Sequence, residues 1–154
     1  MGAQPTDFPG YQKVTNPEVV KKFEDAWGVS LSDKIGIHAT DVFGAAIRGE
    51  IKGLYIYGED PVTEPAQYAD VILPGMSYAE KEGTFSNTER RVQRVRKAVD
   101  LTKDPSFDIR SDVDIIIDLM NRMGYPQPKL TPAEIMDEIS SLTPSFGGIS
   151  HSRL

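Results

Sequence analysis

Two periodicities compete along this chain: apolar residues three or four apart near its ends, and short β-branched runs in its middle. Asn16-Pro17-Glu18 predicts a helix start, since Asn caps, Pro fits the first turn and Glu favours the positive end of the dipole. Val19, Val20, Phe23 and Trp27 follow as an apolar stripe, and Gly28 stops it. Thr40 is the expected cap of a second helix, with Val42, Phe43, Ala46 and Ile47 on one face and Gly49 at its end. Ser111 caps the most regular helix, in which Val113, Ile116, Leu119, Met120 and Met123 recur before Gly124. Thr131-Pro-Ala-Glu134 is a capping box, and Ile135, Met136 and Ile139 form the apolar face behind it.

The middle of the chain reads differently. Ile51 to Tyr57 has strand composition, with Leu54 and Ile56 on one side and Tyr55 and Tyr57 on the other. Gly58-Glu-Asp-Pro61 breaks it, a short helix from Glu64 to Ala69 follows, and Val71-Ile-Leu73 is a second buried strand stopped by Pro74. Residues 84–99 are strand or extended, with Val92, Val95 and Val99 as their apolar positions. Helices alternating with short strands predict an α/β fold, a short and mostly parallel sheet flanked by helices. Residues 1–15 read as an extended arm, 16–142 as the α/β domain and 143–154 as a tail.

Composition narrows the function. A length of 154 residues, 39% hydrophobic and 26% charged, suits one soluble globular domain, and 13 Gly with 11 Pro point to many loops. A net charge of −6 argues against a general nucleic-acid binder. The absence of cysteine removes disulfides, zinc–thiolate sites, iron–sulfur ligands and thiol nucleophiles. The first residues have neither the basic region nor the apolar run of a signal peptide, and no run of apolar residues is long enough to span a membrane, so the expected compartment is the cytoplasm.

Candidate chemistry lies at the predicted strand ends. Gly58-Glu59-Asp60-Pro61 sits where open α/β sheets bind ligands: glycine admits a close approach, and a carboxylate accepts from a ribose hydroxyl or a guanine edge. The same residues also make an ordinary turn with solvated acids. Asp70 offers a second carboxylate, or is simply a turn aspartate. Gly83 to Glu89 supplies hydroxyls, an amide and a glycine, without the spacing of a phosphate loop. Arg90, Arg91, Arg94, Arg96 and Lys97 are either an anion-facing patch or charges paired with nearby acids. His38 and His151 have no ligand-spaced partners, so neither a metal site nor a catalytic residue is assigned.

These strings, KGLYIYGEDP, AQYADVILPGMSYAEKEGTFSNTERRVQRVRKAV and DIIIDLMNRMGYP, together with MGAQPTDFPGYQKVTNPEV and LTPSFGGISHSRL, resemble a known family. The likeness is to the catalytic alpha subunit of molybdenum- or tungsten-dependent formate dehydrogenases, whose family binds a bis-molybdopterin guanine dinucleotide. The resemblance implies that Gly58, Glu59, Asp60 and Asp70 line the guanosine end of one pterin cofactor, with Thr63 and Asn87 as further contacts. It implies a fragment of a larger multidomain enzyme. The cluster-binding cysteines, the metal ligand, a catalytic His and Arg pair and a C-terminal β-barrel lie outside this chain, and about a helix and a strand of the family pattern are missing near residues 61–63.

The expected role is therefore to help cradle the cofactor of an intact enzyme that oxidises formate to carbon dioxide, without activity alone. Its partners would be the remaining domains of the alpha subunit and electron-transfer subunits. A related molybdopterin oxidoreductase, such as a nitrate reductase, and a non-catalytic nucleotide-binding or assembly module are the alternatives.

Overall fold

Helix α1, Pro17–Trp27, forms where the sequence signals it. Asn16 Oδ1 accepts from the Glu18 amide at 3.0 Å, Pro17 occupies the first turn, and Gly28 closes the helix at φ 66° with its amide donating to Glu24 O at 2.8 Å. The computed structural model describes residues 4–57, 69–101, 103–104, 106 and 108–154. The chain divides into two compact units, Met1–Asp60 with Leu142–Gly147, and Pro61–Ser141 with Gly148–Leu154.

In the first unit, α1 packs against a hairpin. Strands β1, Asp7–Phe8, and β2, Gln12–Lys13, pair antiparallel within the segment expected as an extended arm. Phe8 stands 4.9 Å from the fully buried Phe23 and 6.4 Å from Trp27, and the Phe23 and Trp27 rings are 4.8 Å apart. The hairpin turns through Gly10 and Tyr11, both at positive φ. Gly10 is required there, because a Cβ would lie 2.7 Å from Thr143 Cγ2. Lys22 Nζ donates to the Leu142 carbonyl at 2.8 Å and bonds the Gln12 side chain, whose amide donates to the same carbonyl at 3.0 Å. This satisfies a carbonyl at a helix C-terminus that has no partner within its own helix.

Helix α2, Ala39–Ile47, departs from expectation in two ways. His38 is its N-cap, without a side-chain cap bond, and Thr40 lies inside the helix. The small Ala45 is the buried position, while Phe43 and Ile47 are 68% and 88% exposed. Apolar residues run nearly all round this helix, so periodicity does not select a face. Ile51–Tyr57 is neither helix nor strand, and Leu54 to Tyr57 are exposed.

In the second unit, β3, Gly83–Ser86, pairs antiparallel with β4, Val92–Val95, so the extended reading of 84–99 resolves into a hairpin. Helix α3, Asp112–Arg122, starts at Ser111, whose Oγ accepts from the Asp114 amide at 3.1 Å and donates to its carboxylate at 2.7 Å. Helix α4, Pro132–Leu142, carries the predicted capping box: Thr131 N donates to Glu134 Oε2 at 2.7 Å, and Glu134 N to Thr131 Oγ1 at 3.3 Å. Met136 is its buried residue. Within the expected tail, Pro144–Phe146, which belongs to the first unit, forms a 3-10 turn.

The predicted mostly parallel sheet is not present among the described residues. Among the described residues the chain is a small α/β assembly of four helices and two two-stranded antiparallel sheets, with one isolated parallel bridge between Gly75 and Arg110. Val71–Leu73 is not a buried strand but an exposed irregular run. Strand composition reports compatibility with a pleated surface, and without a neighbouring strand no ladder forms. The helix expected over Glu64–Ala69 lies outside the described residues, apart from Ala69, which is irregular. Among the described residues no helix is long and apolar enough to cross a membrane.

Two outcomes follow. Phe23→Ala removes the one fully buried large side chain among the described residues, and loses about 3–5 kcal/mol of the first unit's stability in urea unfolding followed by Trp27 fluorescence. The Ser111 hydroxyl lowers the Asp114 pKa against its burial, and the Thr131 amide lowers that of Glu134. Both folded carboxyls titrate below their unfolded values of about 4, so their support for α3 and α4 is complete above that pH. It disappears as pH falls through the folded values. Asp114→Asn with Glu134→Gln therefore flattens the acid limb of stability against pH, read by circular dichroism between about pH 5 and 2.

Candidate functional site

The sequence nominated Gly58, Glu59, Asp60, Thr63, Asp70 and Asn87 as one cofactor-binding set. Gly58, Glu59, Asp60 and Thr63 lie outside the described residues. Asp70 and Asn87 both belong to the second unit, at different places in it. Asp70 is exposed, immediately before the Val71–Leu73 run. Asn87 leads the turn of the β3–β4 hairpin, where its Oδ1 accepts from the Arg91 amide at 2.9 Å. Its backbone is also engaged, Asn87 N donating to Arg91 O and Arg90 N to Asn87 O, each at 3.0 Å. That clasp holds Arg90 at φ 63°, a left-handed conformation rare for a long side chain.

The basic run divides between the two readings open from sequence. Arg94 is bonded to Glu82, with Nε at 2.7 Å, and Lys97 to Asp100 at 2.8 Å. Arg91 lies 3.5 Å from Glu89 on the open surface. Arg90 and Arg96 have no ion-pair partner among the described residues. Most of the run is therefore consumed in local pairs, which on exposed surface contribute little to stability.

The groove in this unit is elsewhere. Val71, Ile72, Leu73 and Pro74 form one wall and α3, through Ile115 and Leu119, the other, around about 440 Å³. Its rim carries both signs: Asp118 is 3.4 Å from Arg110 and 3.1 Å from Arg122. Neither Asp70 nor Asn87 lines it. Sequence reasoning did not single out this rim, although Asp118 and Arg122 stand one helical turn apart and Arg110 precedes α3. Nor did it find the bond between Thr84 Oγ1 and His151 Nε2 at 2.7 Å, which joins residues far apart in the chain.

A nucleotide-bearing pterin needs acceptors for guanine and ribose and donors for its phosphates. The exposed Asp70 carboxylate suits the first task. Asn87 Oδ1 is already committed to its own turn, leaving only the amide nitrogen to donate. No group of three His, Cys, Asp or Glu among the described residues could hold a metal ion. Among the described residues, Asp70 is thus the one nominated side chain with an exposed carboxylate.

Comparison with known proteins gives the context. Residues 56–122 match the family model for molybdopterin oxidoreductase. The chain is 39% identical, over 180 aligned positions, to a Staphylococcus haemolyticus protein named "Putative formate dehydrogenase". It is 35% identical over the same span to a Staphylococcus aureus protein of the same name. Each alignment takes in 100% of this chain but 18% of the relative, so the chain spans under a fifth of the proteins it matches. The aligned stretch of 180 positions exceeds the chain's 154 residues, so the relatives carry residues with no counterpart here.

Proposed function

This chain belongs to the molybdopterin oxidoreductase family, and we propose that it is a piece of a formate dehydrogenase alpha subunit that helps to hold the guanosine end of the cofactor. The carrying observation is that the chain aligns along its whole length with a relative bearing that name. Family membership implies a molybdopterin cofactor, and the remaining length of the relatives implies further domains. In this reading the cofactor is a molybdopterin guanine dinucleotide carrying molybdenum or tungsten, and electron-transfer subunits receive the electrons. The bound group supplies the two-electron chemistry of formate oxidation from a centre outside this chain.

Within the chain, Gly58, Glu59, Asp60 and Thr63 are the proposed backbone and carboxylate contacts, with Asp70 accepting from guanine or ribose and the Asn87 amide donating nearby. Asp70 is the clearest of these, because its carboxylate is exposed. The surplus of aligned positions supports the reading that a helix and a strand of the family pattern are missing near residues 61–63. On this reading the piece alone binds weakly.

Two measurements test the proposal. The purified chain, mixed with formate and a dye acceptor, shows no turnover above the blank; measurable reduction of the dye would refute the fragment reading. Guanosine diphosphate titrated into the full chain binds weakly, with a dissociation constant of about 1 mM. Asp70→Asn weakens it about tenfold, the scale of one charge-assisted hydrogen bond, while inorganic pyrophosphate is unaffected. Equal binding by wild type and variant would remove Asp70 from the site without touching the family assignment.

A further inference from the structure

Beyond the Ser86–Val92 rung, the β3–β4 hairpin closes through Asn87 and Arg91 on the loop Thr88 to Arg90. Arg90 N donates to Asn87 O and Asn87 N to Arg91 O, each at 3.0 Å, and Arg90 stands at φ 63°. Loops of this length ordinarily place Gly at such a position, because a Cβ at positive φ is crowded by its own backbone. Here a long cationic side chain takes its place. The conformation persists because the turn is fixed from a third direction as well, Asn87 Oδ1 accepting from the Arg91 amide at 2.9 Å.

Packing does not account for that residue. Arg90 is exposed and has no ion-pair partner among the described residues, whereas Arg94 and Lys97 are spent on Glu82 and Asp100. Arg91 follows directly, also exposed, 3.5 Å from Glu89 on open surface, a contact weak enough to yield to a better anion. Asn87 Oδ1 faces the Arg91 amide, which leaves its Nδ2 as a donor. Two guanidiniums and an amide thus gather in one short loop of a chain whose net charge is −6. An anion held here is held by local geometry rather than by the charge of the whole.

We infer that this hairpin tip is an oxyanion site, in which Arg90, with Arg91 and the Asn87 amide in the same loop, takes a phosphate or diphosphate group. A guanidinium offers such a group two parallel N–H donors, and a backbone already locked by its own turn loses little freedom on binding. The inference rests on the cofactor reading only for the source of the phosphate. A dinucleotide supplies a diphosphate, and a free phosphate species has the same chemistry.

Two readouts on the full chain separate strain from function. Arg90→Gly relieves the backbone, so amide exchange across Gly83–Ser86 and Val92–Val95 slows about threefold. The same variant weakens inorganic pyrophosphate about tenfold, titrated at low salt and followed by the amide shifts of residues 87–91. Arg90→Lys, which keeps the charge and loses the fork, recovers only part of that loss. Arg96→Gln, which removes an exposed cation beyond β4, changes neither readout. Pyrophosphate binding left intact by Arg90→Gly would overturn the site. So would an equal loss from Arg96→Gln, because bulk charge would then suffice, and so would faster exchange in Arg90→Gly, because no strain would be held at the tip. A parallel loss of guanosine diphosphate in Arg90→Gly assigns the site to a nucleotide, and unchanged guanosine diphosphate assigns it to a free phosphate species. Failure of the Arg90 variants with the Asp70→Asn effect intact cancels the tip and leaves the cofactor reading standing; the converse leaves the tip standing alone.

Discussion

The governing constraint is that this chain covers little of its own apolar surface. Among the described residues only Val14, Phe23, Ala45 and Met136 are apolar and buried, while Ile51–Tyr57 and Val71–Leu73 leave most of their large side chains in water. Elements that satisfy themselves locally therefore form fully, and elements that need a distant partner do not. A helix closes its backbone bonds within a dozen residues and needs only its ends capped. A strand closes none until another strand arrives.

That division explains what the sequence could and could not convey. Asn16, Ser111 and the Thr131–Glu134 pair are cap signals whose partners lie within three residues, and all three hold as read. The β3–β4 hairpin is likewise local, and its turn is fixed by Asn87. Ile51–Tyr57 and Val71–Leu73 have equally good strand composition, but composition carries no information about whether a neighbour is present. The pairing of Phe8 with Phe23 and Trp27 escaped notice for the opposite reason: the early segment looked too polar and proline-rich to fold, and one aromatic ring seats it.

The candidate site suffers from the same dependence. Asp70 could be picked out as a carboxylate beside a predicted strand, and it is indeed open to solvent at the start of that run. Among the described residues no sheet forms around that run. Asn87, nominated for its amide, is spent on the hairpin turn, a local bond winning over a remote one. Arg94 and Lys97 behave alike, each pairing with an acid a short distance away in sequence.

Function in such a piece has to be read from what it leaves unfinished. The chain matches under a fifth of its relatives' length, yet matches that fifth at 39% identity from end to end. The matched stretch contains both the caps and the exposed strand-like runs. Water-facing Val, Ile, Leu and Tyr at such positions are poorly placed for a free-standing protein and well placed for an interior. The same reasoning orders the two open edges. Ile51–Tyr57 has no pairing at either end among the described residues, whereas Val71–Leu73 abuts the Gly75–Arg110 bridge and the apolar side of α3.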